Sequence, residues 1–105
     1  MEAQPSITLN NGNKIPAVGL GTFLSSDPAE LKAVVIEAVL NVGVRHIDTA
    51  SLYGNEAVIG EALKECFASG KVKREDIFIT TKVWQDEKHD CEAACKRSLE
   101  RLQIE

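Results

Sequence analysis

From residue 18 onward the sequence changes period three times over. Each time, a short apolar run suited to a strand is followed by a longer stretch whose apolar residues recur at helical spacing. This alternation constrains the fold more than any other feature. Strands separated by helices of this length demand a parallel sheet joined by crossover helices. The strand-like runs are residues 18–23, 44–48 and 77–84. The helical faces that follow are Leu31, Val34, Val35, Ala38, Val39 and Val42, then Ile59, Leu63, Cys66 and Phe67, then Cys91, Cys95, Leu99 and Leu102. A βαβ unit needs about 30 residues, so the 105 residues hold three strand–helix units and no second domain.

The punctuation agrees with that division. Ser25-Ser26-Asp27-Pro28 marks a helix start, with Asp27 as N-cap, Pro28 at the first helical position and Glu30 completing an acidic capping box. Gly43 reads as the glycine that ends this helix. Asn55 is expected to cap the second helix and Gly70 to stop it, while Asp90 caps the third. Ahead of the first unit, Ile7-Thr8-Leu9 and Lys14-Ile15 flank Asn10-Asn11-Gly12-Asn13. The Asn-Gly pair predicts a hairpin over residues 7–15 with a type I′ turn, closed by Pro16.

Composition excludes several classes of function. Twelve Lys and Arg against sixteen Asp and Glu give a net charge of −4, a poor basis for binding a nucleic-acid backbone. No apolar run reaches the ~18–20 residues of a membrane span. The start, Met1-Glu2-Ala3-Gln4-Pro5-Ser6, is polar and lacks an apolar leader segment. Three cysteines, an odd and sparse set, do not form a disulfide framework. The expectation is a soluble cytoplasmic chain with neither nucleic-acid nor membrane partners.

In parallel α/β folds, function collects in the loops after the strand C-termini. Asp48 closes the second strand, Tyr53 lies five residues on, and Lys82 falls near the end of the third strand. All three should share one rim. A Lys ammonium beside a phenol lowers the phenol's pKa from its reference value near 10. An Asp beside that Lys keeps it charged and oriented. Such a phenol suits general acid catalysis, protonating a carbonyl oxygen as hydride reaches the carbon. Taken singly, each residue has a plain structural role, Asp48 as a loop cap and Lys82 as a solvated strand end. Tyr53, the sole tyrosine, sits in a loop and not in a core strand.

Weaker motifs are set aside. Gly19-Leu20-Gly21-Thr22-Phe23-Leu24 begins like a dinucleotide fingerprint, but Leu24 stands where the last small residue belongs, and no acid follows at the expected distance. His89, Cys91 and Cys95 could be drawn as metal ligands, but Cys91 and Cys95 read as buried thiols on the face of Leu99 and Leu102, so no metal is expected. Lys71, Lys73 and Arg74 run straight into Glu75 and Asp76 and read as a solvated turn. His46, inside the second strand, reads as a packing or surface residue.

Several segments resemble, in order, the aldo-keto reductases. Leu9-Asn10-Asn11-Gly12, Ile15-Pro16 and Gly19-Leu20-Gly21-Thr22 look like that family's opening. Arg45-His46-Ile47-Asp48-Thr49-Ala50, Tyr53-Gly54-Asn55-Glu56 and Gly60-Glu61-Ala62 are similar to its first signature. Phe78-Ile79-Thr80-Thr81-Lys82-Val83-Trp84 resembles its lysine strand. The resemblance implies an α/β fold over residues 1–105: a hairpin plugging the bottom of a (β/α)8 TIM barrel, followed in residues 18–105 by the first three of its βα units, an incomplete barrel. It implies NADPH-dependent reduction of aldehydes or ketones, a small-molecule carbonyl substrate and a monomeric full-length form.

By position, the resemblance makes Tyr53 the proton donor, with Lys82 tuning it and Asp48 paired to Lys82. Gly21, Thr22 and Asp48 would lie near the nicotinamide, and Phe23, Leu52 and Trp84 would line the substrate pocket. Phe23 stands where many relatives carry Trp, which keeps an aromatic wall and removes an N–H donor. The family's histidine, at the end of a fourth strand, would lie beyond Glu105, and neither His46 nor His89 takes its place. The expectation is therefore a chain inactive alone; the alternative is a truncated aldo-keto-like chain that binds a partner without chemistry.

Overall fold

A computed structural model describes residues 5–23 and 27–105. The polar start at Met1–Gln4 and the lead-in at Leu24, Ser25 and Ser26 lie outside the described residues. Strands β1 (Ser6–Thr8) and β2 (Lys14–Pro16) form an antiparallel hairpin in which Ile7 faces Ile15. Then come β3 (Leu20–Gly21), α1 (Pro28–Glu37), β4 (His46–Asp48), α2 (Glu56–Ala68), β5 (Phe78–Thr80) and α3 (Cys91–Leu102). Among the described residues, β3, β4 and β5 form a parallel sheet in that order. In the parallel sheet, α1, α2 and α3 follow β3, β4 and β5 in turn, a partial α/β arrangement.

The hairpin is present, but its turn is of another kind. A type I′ turn needs positive φ at both central residues, and here Gly12 alone has it, at +86°. Gly12 N donates to the Leu9 carbonyl and Leu9 N to the Asn13 carbonyl, a turn closed by a left-handed glycine bulge. Pro16 ends β2, as expected. It pairs with Ser6 as the last ladder residue, and the next donor, Ala17 N, reaches the Pro5 carbonyl.

The Asp27 side chain accepts from Glu30 N at 3.1 Å, so this half of the expected capping box is formed. The last turn of the first helix, Ala38–Val42, widens to π geometry before Gly43. Arg45 Nη1 donates to the carbonyl of Val39, an acceptor that the helix end leaves open, and to that of Val44 just beyond it.

The core joins Leu31, Val35 and Val39 to Ile47 of β4 and to Ile59, Leu63 and Cys66 of α2. Val34 and Val42, expected on the same face as Leu31 and Val35, are exposed instead. They flank the buried stripe, and nothing in the described structure packs over that flank.

The third helix departs from expectation in the same way. Its buried stripe is Ala94, Ser98 and Leu102: Leu102 is buried as expected, while Ala94 and Ser98 take the places expected of Cys95 and Leu99. Cys91 and Cys95 are exposed, so the buried-thiol reading holds for Cys66 and fails for these two. The cause is the close approach of α3 to α2, which turns Ser98 and Arg101 toward a carboxylate on α2.

His46 ties the hairpin to the sheet. Its Nδ1 lies 3.2 Å from the Pro16 carbonyl, which can only accept, so Nδ1 carries the proton. Its Nε2 pairs with the Thr80 hydroxyl at 2.7 Å.

Candidate active site

The carboxyl ends of β3, β4 and β5 deliver their polar residues to one rim. Gly21 of β3 is the register partner of Asp48 in β4, and Asp48 is that of Thr80 in β5. Beyond Thr80 the ladder stops. Lys82 and Trp84, expected within the strand, lie in the irregular segment after it. Beyond Asp48, Thr49 N still bonds the Thr80 carbonyl, and a 3₁₀ turn over Ser51–Tyr53 then swings Tyr53 back over the rim.

These paths converge on Lys82 Nζ. It donates to Asp48 Oδ1 at 2.8 Å and to the Thr49 carbonyl at 2.9 Å, and stands 3.2 Å from the Tyr53 hydroxyl oxygen. Partial desolvation of the ammonium is the largest single influence on its acidity and pulls the pKa down. The hydrogen bonds to Asp48 and Tyr53, with the charge of Asp48, together outweigh it, so Lys82 lies above the ordinary lysine value. The trio is open to water, the Lys82 side chain being 47% and the Asp48 side chain 40% exposed, so solvent screens these charges.

Phe23 packs beside Tyr53, with ring centroids 5.0 Å apart and planes tilted by 54°. Leu52 and Trp84 are half exposed and line a cleft of about 510 Å³ to one side of the trio. Phe23 does not line this cleft, and neither does any residue of the trio. Thr22 is buried beneath the rim, its hydroxyl donating to the Asp48 carbonyl at 3.0 Å. His89 and the exposed Cys91 and Cys95 take no part in the trio's hydrogen bonds.

Sequence reasoning missed what supports the trio. Asn55, expected as a helix cap, makes no side-chain bond to the start of α2. Its Nδ2 donates to the Thr22 carbonyl at 2.8 Å, and its Oδ1 accepts from the Thr49 hydroxyl. Glu56 is buried and accepts from Thr81, Ser98 and Arg101. Its signal was available: Glu56 shares the helical face of Ile59, Gly60 and Leu63, where an acid has no place unless it is paired.

The profile of the Aldo/keto reductase family matches residues 17–105. The chain belongs to this family. Aldo-keto reductase family 1 member A1 of Rattus norvegicus is 50% identical over 103 residues, covering 95% of this chain and 31% of the rat protein. The NADP-dependent D-sorbitol-6-phosphate dehydrogenase of Malus domestica is 48% identical over 101 residues, 95% of this chain and 32% of that protein. An aldo-keto reductase of Bombyx mori, solved in complex with NADP, superposes with a TM-score of 0.90 at 38% identity, over 99% of this chain and 36% of that one. The aldo/keto reductase chain thus spans about a third of the length of the curated relatives it matches. Its α/β fold is that of aldo-keto reductase structures. Among the described residues, no helix is long and apolar enough to cross a membrane.

Proposed function

We propose that residues 1–105 are the N-terminal part of an eight-stranded barrel, with the 7–15 hairpin as its plug and three βα units after it. The whole acts as a cytoplasmic, monomeric oxidoreductase that reduces aldehydes or ketones to alcohols with NADPH. The observation that carries this reading is the single ammonium of Lys82 bonded to Asp48 and within hydrogen-bond reach of the Tyr53 hydroxyl. A chain that only binds a partner gives no reason for that convergence.

Tyr53 donates its proton to the carbonyl oxygen. Lys82 stabilises the phenolate left behind, and Asp48 with the Thr49 carbonyl keeps the ammonium aimed. Solvent then returns a proton to Tyr53. The residues fit a nicotinamide: a Cβ built on Gly21 would meet nothing within 4 Å, so the backbone beside Asp48 is bare enough for a flat ring. Gly21 and Asp48 would hold that ring, with Thr22 supporting them from beneath. When bound, a reduced nicotinamide supplies the hydride that adds to the carbonyl carbon. The relatives named or solved with NADP support NADPH as the cofactor. Phe23, Leu52 and Trp84 form walls for the substrate.

The test joins residues 1–105 to the remaining length of the rat relative. The joined protein should oxidise NADPH when given a model aldehyde, and Tyr53→Phe should abolish turnover while NADPH still binds. Turnover surviving in that variant would remove Tyr53 as the acid. The 105-residue chain alone, with both edges of the parallel sheet open among the described residues, should show no turnover.

A further inference from the structure

The three strands of the parallel sheet each run on into a threonine near the rim, and one short segment touches all three. Thr22 follows β3, Thr49 follows β4 and Thr81 follows β5. Asn55 holds the first two, through the Thr22 carbonyl at 2.8 Å and the Thr49 hydroxyl at 3.3 Å. Glu56 holds the third, its Oε2 accepting from the Thr81 hydroxyl at 2.7 Å.

We propose that Asn55 and Glu56 are positioning residues, a clamp at the start of α2 that sets the spacing of the strand ends and so aims Lys82 at Asp48 and Tyr53. The proposal rests on the catalytic reading above for its functional meaning. The geometry itself does not depend on that reading.

Glu56 is 2% exposed. Its Oε1 accepts from Ser98 Oγ at 3.1 Å, Arg101 Nε at 2.8 Å and Arg101 Nη2 at 2.6 Å. A buried ion pair is a poor way to gain stability alone, since an apolar side chain of similar size often holds two helices as well. What an apolar side chain cannot do is accept the Thr81 hydroxyl. That bond acts on a stretch with few other restraints, because the ladder ends at Thr80. The backbone of Lys82 is otherwise held through its carbonyl by Ser51 N at 3.4 Å and Ser51 Oγ at 3.3 Å, both long. Arg101 and Ser98 lock one side of the carboxylate to α3, so its other oxygen presents a fixed acceptor to Thr81. Asn55 acts in parallel on Thr49, whose carbonyl is itself a partner of Lys82 Nζ.

The test reads Lys82 directly. In the 105-residue chain with isotope-labelled lysine, the side-chain resonance of Lys82 is titrated in wild type, Glu56→Gln, Thr81→Val and Thr81→Ser. Thr81→Val should shift the Lys82 midpoint down toward the ordinary lysine value, and Thr81→Ser, which keeps the hydroxyl, should restore it. Glu56→Gln should shift it the same way. Should the Glu56 variant fail to fold, Thr81→Val still decides, since it leaves the Glu56–Arg101 pair intact. In the joined protein, Thr81→Val should lower kcat by about 10- to 100-fold with little change in KM. A folded Thr81→Val whose Lys82 midpoint stays at the wild-type value would overturn the proposal. Activity surviving Tyr53→Phe would overturn the catalytic reading while leaving the titration result standing.

Discussion

Gly60 lies against the backbone of Arg101 so closely that a Cβ built on it would stand 2.4 Å from the Arg101 carbonyl oxygen and 2.8 Å from the carbonyl carbon of Leu102. Backbone cannot yield as a flexible side chain can. Gly60→Ala must push α2 and α3 apart and loosen the Arg101–Glu56 pair. Overpacking costs about 1–3 kcal/mol, against about 0.5–1 kcal/mol that Ala returns in a helix. The expected net effect is a loss of up to about 2.5 kcal/mol, measured by urea unfolding; a stabilised variant would contradict the close packing.

Lys82 should make stability sensitive to alkali. Its folded pKa is raised, so the folded state holds this proton more tightly than the unfolded chain does. The contribution is fully present below the ordinary lysine value of 10.5 and is lost as pH rises through the folded one. From about pH 10.5 to about pH 12, the urea midpoint should fall more steeply in wild type than in Lys82→Met. Parallel curves would show that the ion pair adds nothing.

Glu87 works in the opposite direction. The Ser51 hydroxyl bonded to its carboxylate is the main reason its pKa is lowered, with Arg97 and Trp84 N helping against desolvation. A depressed carboxylate pKa contributes stability above the ordinary value of 4.5 and loses it as pH falls through the folded value. The segment carrying Trp84 should therefore loosen in acid. Trp84 is the sole tryptophan, so its fluorescence reports the change. Glu87→Gln should flatten the acid limb, and an unchanged limb would exclude Glu87 as its source.

The three thiols should separate by reagent access. Cys66 is fully buried, and burial with the nearby Glu65 charge pushes its pKa up despite Arg45, so little thiolate forms at neutral pH. Cys91 and Cys95 are exposed. Iodoacetamide on the folded chain, followed by peptide mass spectrometry, should label Cys91 and Cys95 and spare Cys66. Equal labelling of all three would mean that the α1–α2 core opens readily.

Asp48, Tyr53 and Lys82 were legible in the sequence because strand order fixes which ends meet: three parallel strands leave polar end-residues nowhere to go but one rim. Finer features were not, for physical reasons. Helical spacing marks an apolar stripe but does not say which of two adjacent stripes turns inward, so it points to Cys91 and Cys95 where Ala94 and Ser98 are the buried residues. An Asn before a helix reads as a cap, because nothing local reveals that the Thr22 carbonyl, 33 residues earlier, competes for its side chain. The Asn-Gly pair signals a hairpin correctly, yet the turn type depends on the register of both strands. Glu56 sits on an apolar helical face, which signals a paired acid, but an acid at the first turn of a helix also suits the helix dipole, so the sequence does not name its partners.

Both outer edges of the parallel sheet, on β3 and on β5, are without a partner strand among the described residues. A strand laid parallel on either edge would bring its own final residue to the rim where Lys82 stands. New contacts can thus be recruited from the left or the right of the trio without altering the distances inside it. The geometry of the trio and the surroundings it faces are therefore separable: the first is set by these three strands and the loops that follow them, and the second is left to whatever stands next to them.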